Sequence, residues 1–398
     1  MRLAIAVLTY AGVCLLAAPR PMTFLDVVEM RTASKPAVSP DGKWAVYSLL
    51  TPDWKQGRSF SDLYLAPMAE GVAAARRMTF TKGKNETGAQ WSRDSSYFVF
   101  TSNREAPATA ATEQQLYAMR PDGGEAQRIG SHKEGVGAFA FSPDGKWLVY
   151  VAGKKTERQI WVLPAAEVGT AEPKPLTKHA TPVTAFLFSR DGKQIYFTAP
   201  ETAEKASFER IEKKFTAKIR NEDTPLDHLW VLDVESRTER RLTGGAEYTV
   251  SSLVVSPDSK WLGFRGTPKD RYRRAVTEAA TYADLYLLDT ATGTIERLTN
   301  NKDIRESSMS FSPDSATVAF VAADDFTYFR NEKVYVRPVK GWGVGARSGV
   351  TIGPWALTSG RTTAGTIYFN GGKGATQYCS AHPWSPAPGA SSDQPFPV

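Results

Sequence analysis

A six-residue phrase, Ser39-Pro40-Asp41-Gly42-Lys43-Trp44, recurs in modified form along most of this chain. The five later copies begin at Ser92, Ser142, Ser189, Ser256 and Ser312. The intervals between successive serines are 53, 50, 47, 67 and 56 residues. Self-similarity at a period of about 40–50 residues is typical of solenoids and propellers, in which each repeat is one supersecondary unit. This repeat constrains the fold more than any other feature of the sequence.

Each copy lies in the same sequence context. An apolar triplet such as Phe139-Ala140-Phe141 precedes the phrase, and a second apolar segment such as 147–151 follows it. Pro presets φ, Asp bonds its own backbone and Gly tolerates positive φ, so the phrase predicts a tight hairpin turn. A third segment such as 159–162 and a fourth such as 241–243 complete the unit. Four short strands per repeat predict one blade of a β-propeller.

The predicted fold class is therefore all-β: a β-propeller of four-stranded blades, with six clear repeats and a degenerate seventh. The seventh is indicated by 365–370, which lacks the turn phrase. Because one residue type at the same place in six repeats cannot be a unique catalytic centre, the repeated Ser, Asp and Trp residues are interpreted as structural. Four tryptophans are expected to be mostly buried between blades: Trp44, Trp91, Trp147 and Trp261.

The amino terminus is typical of an exported protein. Residues 1–18 combine Arg2, a short apolar run and small residues at its end, which predicts a signal peptide. A retained anchor is the alternative; after cleavage we expect no stable membrane span. Cys14 lies in that segment, so only Cys379 would remain and no internal disulfide could form. The predicted localisation is periplasmic or secreted, in a bacterium.

Two further domain boundaries follow from composition. Residues 22–340 are predicted to form the propeller, and residues 341–398 a degenerate last blade and a low-complexity tail rich in Gly, Ser, Thr and Pro. The net charge is +7, but basic and acidic residues are interspersed. Solvated surface charge explains this pattern, and no nucleic-acid partner is predicted.

Residues 22–339 resemble the amino-terminal propeller of exported serine peptidases of the prolyl oligopeptidase family, in the dipeptidyl aminopeptidase/acylaminoacyl peptidase branch. The stretches that carry this resemblance are 78–87, 102–107 and 120–126. The Ser-Pro-Asp-Gly turn also occurs in TolB-like periplasmic propellers. The resemblance implies that the propeller acts as a size filter and docking surface for a catalytic α/β-hydrolase domain that cleaves peptides.

The residues needed for that chemistry are not found in this sequence. A serine nucleophile requires a Gly-x-Ser-x-Gly elbow with Asp and His partners, and no such elbow occurs; the nearest fragment is 345–349. The four histidines, His132, His179, His228 and His382, have no metal-ligand spacing and are interpreted as satisfied surface residues. No catalytic, cofactor-binding or metal-binding residue is predicted, no cofactor is expected, and the chain alone is not predicted to be an enzyme.

Two insertions interrupt the repeats. Residues 201–220 have helix-like spacing with many opposite charges four residues apart, and residues 270–274 form a basic run. In the resembling family such inserts lie near the interface with the hydrolase domain. A solvated helical excursion and an exposed basic loop, with a carboxylate-binding face as its alternative, are the interpretations from the residues alone.

Three hypotheses for function remain open at this point. The first is the propeller of a truncated peptidase, with a tail altered by truncation or a frameshift, that gates substrates and docks a partner without catalysis. The second is a TolB-like periplasmic interaction propeller. The third is the propeller half of a split peptidase. The predicted partners are peptides, a hydrolase domain or another protein.

Overall fold

The structure is a computed structural model, and it describes residues 21–106, 113–202, 225–269, 282–300, 306–323 and 332–340, with shorter pieces at 209–210, 213, 215, 355–356, 366–373 and 376–383. A short helix, α1 (Phe24–Val28), precedes the first strand. Two 3-10 turns lie at Gly71–Ala74 and Ala165–Glu167. In the described part of the chain, no helix has the length and apolar character needed to cross a membrane.

The strands form consecutive antiparallel sheets, each built from neighbours in sequence. We number these sheets as blades. In blade 1 the first strand is split into Thr32–Ala33 and Ala37–Val38, and both halves pair with the second. The other strands of blades 1 to 3 are, in order, Trp44–Asp53, Arg58–Pro67 and Arg76–Arg77; Glu86–Trp91, Phe98–Ser102, Gln115–Arg120 and Gly123–Ile129; and Val136–Phe141, Trp147–Ala152, Gln159–Pro164 and Lys174–Pro175.

Blades 4 and 5 have four strands, while the described parts of blade 6 and of a seventh sheet have three each. Their strands are, in order, Ala185–Phe188, Gln194–Pro200, Asp227–Asp233 and Glu239–Arg241; Tyr248–Val255, Trp261–Pro268, Asp284–Asp289 and Ile295–Arg297; Glu306–Phe311, Thr317–Ala323 and Glu332–Pro338; and Trp355–Ala356, Thr366–Lys373 and Thr376–Pro383. The all-β propeller prediction, with six repeats and a degenerate seventh, is confirmed. The tail predicted to be low in complexity thus contains strands.

Every Ser-Pro-Asp-Gly-type turn joins the first and second strands of its blade as an antiparallel hairpin, as predicted. Because successive side chains of a strand point to opposite faces of its sheet, they pack alternately against the preceding blade and the following blade. In the second strand of blade 3, Leu148 and Tyr150 pack with residues of blade 2, whereas Val149 and Val151 pack with residues of blade 4. Five apolar cores of this kind lie between consecutive blades from 1 to 6.

The turn serine and aspartate form one hydrogen-bond network that is repeated six times. The serine hydroxyl donates to the aspartate Oδ1 at 2.5–2.7 Å. In blade 3, Ser142 Oγ also accepts the Trp147 N–H at 3.0 Å, and Asp144 Oδ1 accepts the Lys146 N–H at 3.1 Å. The Ser142 hydroxyl and then the Lys146 N–H lower the pKa of Asp144 below its usual value. The aspartate therefore accepts the hydrogen bonds of the turn in its ionised, carboxylate form.

Neighbouring turns are also bonded to one another. In three turns a serine replaces the glycine and keeps its left-handed backbone, with φ of 62° at Ser95, 60° at Ser259 and 59° at Ser315. A residue with a side chain is strained in that region, yet each of these hydroxyls accepts an N–H from the turn of the preceding blade. The three bonds are Asp41 N–H to Ser95 Oγ at 3.0 Å, Arg190 N–H to Ser259 Oγ at 2.9 Å and Asp258 N–H to Ser315 Oγ at 3.1 Å.

Where the glycine is kept, side chains close the gap between turns. Arg93 in the turn of blade 2 donates to the Pro143 carbonyl of blade 3. A Cβ on Gly145 would lie 2.5 Å from the Arg93 Cβ, and one on Gly192 would lie 3.4 Å from the Pro143 Cδ. Hence the turns of blades 1 to 6 contact each other in sequence, and we call this set of contacts the turn ring.

The prediction for the four tryptophans is confirmed only in part. Trp91 is 8% exposed, and its Nε1 donates to the Ala37 carbonyl of blade 1 at 2.9 Å. Trp44 and Trp261 are half-buried, with Arg76 and Lys340 over their rings. For Trp147 the prediction is wrong, because its side chain is 40% exposed. It lies directly after the turn, at the end of the sheet, beyond the apolar core that its own strand builds.

We expect substitution by alanine to destabilise the protein much more at the buried Trp91 than at the exposed Trp147. Trp91→Ala should lower the free energy of unfolding by about 3–5 kcal/mol, because it removes a buried ring. Trp147→Ala should cost about 1 kcal/mol or less, because most surface changes have small effects. Urea unfolding of the two variants measures the difference. Equal losses would contradict this description of the inter-blade packing.

Candidate functional site

The candidate site lies on the face of the propeller opposite the turn ring. In a blade whose strands run alternately up and down, the connection from second to third strand and the connection to the next blade share one end of the sheet. We call that end the loop face, and the end with the turn ring the turn face. Propeller loops carry binding functions because a rigid scaffold positions them.

Both predicted insertions belong to the loop face. Residues 201–226 connect the second and third strands of blade 4, and residues 269–283 connect those of blade 5. Glu209 and Arg210 are helical, which agrees with the predicted helix. Of the other residues in that prediction, only 201–202, 213 and 215 are described, and the basic run 270–274 lies outside the described residues, as do the predicted signal peptide and most of the tail.

A buried carboxylate lies where the chain enters blade 2. Glu86 is 0% exposed; it accepts the Ser102 hydroxyl at 2.9 Å and lies 3.5 Å from Arg104 Nη2. The Arg104 guanidinium also lies over the ring of Tyr117, 4.5 Å from its centroid. Burial raises the pKa of Glu86 above its usual value, while Ser102 and Arg104 oppose that shift. This carboxylate is therefore paired, but incompletely compensated for its loss of water.

A threonine that follows the fourth strand recurs on the same face. Its hydroxyl accepts a backbone N–H from the third strand of its own blade, at about the same distance in four blades. The bonds are Leu63 N–H to Thr79, Ile160 N–H to Thr177, Leu229 N–H to Thr243 and Leu285 N–H to Thr299, at 2.8–2.9 Å. Thr79 donates onward to Glu86, and Thr299 to the fully buried Glu306. The two carboxylates thus occupy equivalent positions in blades 2 and 6.

The histidines predicted to be on the surface are inside the protein. His132 is 9% exposed, with Nε2 2.8 Å from the Tyr150 hydroxyl, and the His179 Nδ1 lies 2.6 Å from Glu239 Oε2. His228 is 1% exposed, and burial lowers its pKa as it does that of His132. The surface interpretation of these three is wrong because each fills a gap between loops and strands. For His382 the side chain lies outside the described parts.

This arrangement does not assemble a nucleophile. A serine is activated when a base accepts its proton within hydrogen-bond distance. Within the described residues, the bonds of His132, His179 and His228 are made to tyrosine, glutamate and threonine side chains. These contacts hold loops in place and leave no histidine directed at a serine hydroxyl.

Exposed apolar side chains are found in α1 and in two loops of blade 1 at the loop face. Thr23 and Asp26 form a capping box for α1, which buries none of its residues. We call the following set the apolar rim: Met22, Phe24, Leu25, Val27, Met30, Trp54 and Phe80, with exposures of 50% to 80%. Trp54 and Phe80 lie in loops of blade 1 that emerge on the face from which α1 enters its first strand. A concentration of apolar surface on one face indicates an interaction site.

Comparison with known proteins agrees with this architecture. A family profile described as WD domain, G-beta repeat matches residues 124–156, from the fourth strand of blade 2 to just past the second strand of blade 3. The Uncharacterized peptidase YuxL of Bacillus subtilis is 29% identical over 122 residues, which are 30% of this chain and 17% of that protein. Dipeptidyl-peptidase 5 of Porphyromonas endodontalis is 22% identical over 285 residues, which are 70% of this chain and 35% of that protein. This chain therefore spans about a third or less of the length of these relatives.

Solved structures show the same fold. The β-propeller domain of the Trilobed protease from Pyrococcus furiosus, described as having an open velcro topology, matches with a TM-score of 0.52 at 12% identity. The match covers 89% of this chain and 96% of that one. The acylaminoacyl peptidase of Pyrococcus horikoshii matches with a TM-score of 0.52 at 11% identity, over 90% of this chain and 52% of that one.

The protein is thus a β-propeller. At the level of fold it is similar to the propeller domains of peptidases of the acylaminoacyl and prolyl oligopeptidase type, which confirms the predicted resemblance. The curated proteins it matches are themselves named as peptidases.

We expect Glu86→Gln to remove a pH-dependent contribution to stability. Burial raises the pKa of Glu86, so its stabilising contribution is complete below the unfolded-state pKa and is lost as pH rises through the folded-state pKa. Relative to the parent protein, Glu86→Gln should therefore gain stability as pH rises from about 4 to about 8. Urea unfolding at several pH values measures this difference.

Asp144→Asn is the matched control, since the pKa of Asp144 is lowered. Its contribution is present above the unfolded-state pKa and is lost as pH falls through the folded-state pKa. The relative stability of Asp144→Asn should accordingly fall as pH rises, by a small amount because the group is exposed. The same sign for both variants would refute the assignment of these environments.

Proposed function

We propose that this chain is the propeller part of a serine peptidase of the prolyl oligopeptidase type, which docks a catalytic domain and gates the access of peptides without performing catalysis itself. The observation that carries the proposal is the apolar rim, on the loop face of a propeller whose structural neighbours include peptidases. The proposal includes export to the periplasm or the exterior of a bacterial cell. A hydrolase supplied as a separate polypeptide would use the same face.

The proposed docking surface includes α1. It has only five residues, whereas an isolated helix in water is marginal below about 12–15 residues. Its capping box satisfies the first turn, yet none of its side chains is buried by the propeller. Full burial of one large apolar side chain contributes about 1.5–3 kcal/mol. A partner that covered Phe24, Leu25 and Val27 would therefore stabilise both the helix and the complex.

In this proposal the chain alone performs no catalysis, because its described histidines are already bound to other side chains. The described ones are held by Tyr150, Glu239 and Thr243, and burial lowers the pKa of two of them. Imidazoles that are enclosed and bound to these partners are not placed to accept a proton from a serine on the surface. Peptide cleavage then requires groups from the docked domain.

The test combines labelling and capture. A fluorophosphonate probe should label no serine of the purified chain. Immobilised on beads, the chain should retain from an extract of its source organism a protein that the same probe labels. The double variant Phe24→Ser/Leu25→Ser should lose at least about 90% of that captured label, because polar side chains remove the apolar area that drives docking.

Val72→Ser is the matched control: Val72 is 78% exposed but lies between the third and fourth strands of blade 1, on the turn face. This variant should capture as much label as the parent protein. Labelling of the chain itself would contradict the non-catalytic role. Capture of a partner that the probe does not label would contradict the peptidase proposal and favour an interaction propeller.

A further inference from the structure

Arg158 lies at the loop-face end of blade 3, in the connection from the second to the third strand. Its side chain runs inward across the sheet. A Cβ built on Gly137, in the first strand, would lie 3.7 Å from Arg158 Nη1 and 3.7 Å from the Cβ of Val151 in the second strand. First and third strands are roughly 10 Å apart. The guanidinium therefore reaches the innermost strand, which lines the channel of the propeller.

This guanidinium has no partner among the described residues. Its Nε is buried without a hydrogen bond, and among the described residues no ion pair to it is formed. Burial lowers the pKa of Arg158. Buried polar atoms nearly always have a partner, so the buried Nε of this half-buried arginine requires an explanation.

Other half-buried arginines of the propeller each have at least one partner within the chain, although the Nε atoms of Arg128 and Arg337 also lack a hydrogen bond. Their partners are a carboxylate, a hydroxyl or a backbone carbonyl. The pairs are Arg104 with Glu86, Arg128 with Glu105, Arg265 with Ser251 and Arg337 with the carbonyl of Leu298. Arg158 differs from these four because its charge is directed at the channel-lining strand rather than at an internal acceptor.

The innermost strand has a glycine, and so no side chain, beside this group. The first strand of blade 3 has a register shift between Val136 and Phe139, and Gly137 lies within it. Gly137 does not have a left-handed φ, so its backbone does not demand glycine. A larger side chain there would occupy the space next to the guanidinium.

We propose that Arg158 binds a carboxylate of a peptide at the loop-face mouth of the channel. This inference rests on the proposed function and deepens it, since the gate would select peptides that present a carboxylate. An arginine fork matches a carboxylate with two parallel hydrogen bonds, and such bonds are stronger in a partly desolvated position. The carboxylate is either the carboxyl terminus of the peptide or an acidic side chain.

The test measures binding to the full chain by fluorescence anisotropy with three amino-terminally labelled peptides: tetra-alanine with a free carboxyl terminus, its carboxyl-terminal amide, and an amidated Ala-Ala-Glu-Ala. We expect at least one carboxylate peptide to bind about 10- to 100-fold more tightly than the tetra-alanine amide, as for a charged hydrogen bond. Tighter binding of the free acid would show that the site binds the carboxyl terminus of a peptide. Tighter binding of the glutamyl amide would show that it binds an acidic side chain.

Three variants locate the interaction. Arg158→Met should reduce binding of the carboxylate peptide to the level of the amide, while its melting temperature stays equal to or above that of the parent. Gly137→Val should also weaken binding, because it fills the space beside an intact arginine. Arg128→Met, on the same face but with an internal partner, should leave binding unchanged.

Equal binding of acid and amide peptides, no binding of any peptide at millimolar concentration, or a melting temperature of Arg158→Met several degrees below the parent would overturn the proposal. The last result would show that Arg158 has a structural partner. Capture of a probe-labelled hydrolase by Arg158→Met distinguishes the two ideas. If the hydrolase is still captured but no carboxylate peptide binds to the parent protein, the docking function is supported and the carboxylate site is refuted.

Discussion

The hydroxyl of the turn serine is the interaction on which the rest of this structure depends. In one position it donates to the turn aspartate and accepts the N–H that opens the second strand, as Ser142 does with Asp144 and Trp147. This arrangement fixes the hairpin at the same position in each of blades 1 to 6. Because each second strand packs one neighbour with its even positions and the other with its odd positions, a fixed height also fixes the register of the inter-blade cores.

The turn ring and the loop face divide the molecule into two regions with different roles. On the turn face the connections are short, repeated and bonded to one another. On the loop face they differ from blade to blade, and that face carries the buried Glu86, the apolar rim and the Arg158 guanidinium, whose Nε has no hydrogen-bond partner among the described residues. Turns that are bonded to one another at one end leave the loops at the other end free to differ, which is how scaffolds position binding sites. The proposed docking and gating functions both belong to that second face.

The fold was largely predictable from the sequence because the repeat encodes local chemistry. Pro, Asp and Gly at fixed offsets specify a turn, and the apolar alternation on both sides specifies strands. The burial of Trp147 could not be predicted in this way, since a residue at the same repeat position is half-buried in blades 1 and 5 and exposed in blade 3. The covering groups, such as Lys340 over Trp261, come from distant residues.

The site was less predictable, and for a physical reason. The seven-residue spacing of Thr79 to Glu86, repeated as Thr299 to Glu306, was a signal in the sequence that could have indicated the two buried carboxylates. The enclosed histidines and the reach of Arg158 to Gly137 depend on contacts across strands, for which no local pattern exists.

The central claim is that consecutive blades are bonded turn to turn, and Ser259 tests it most directly. Ser259→Ala keeps the strained φ but removes the hydroxyl that accepts the Arg190 N–H of the preceding blade. We expect faster hydrogen exchange of the Arg190 amide and a loss of about 0.5–1.5 kcal/mol in the free energy of unfolding. Ser259→Gly, which relieves the strain, should lose less stability but show the same faster exchange. Unchanged exchange at Arg190 in both variants would contradict the turn ring.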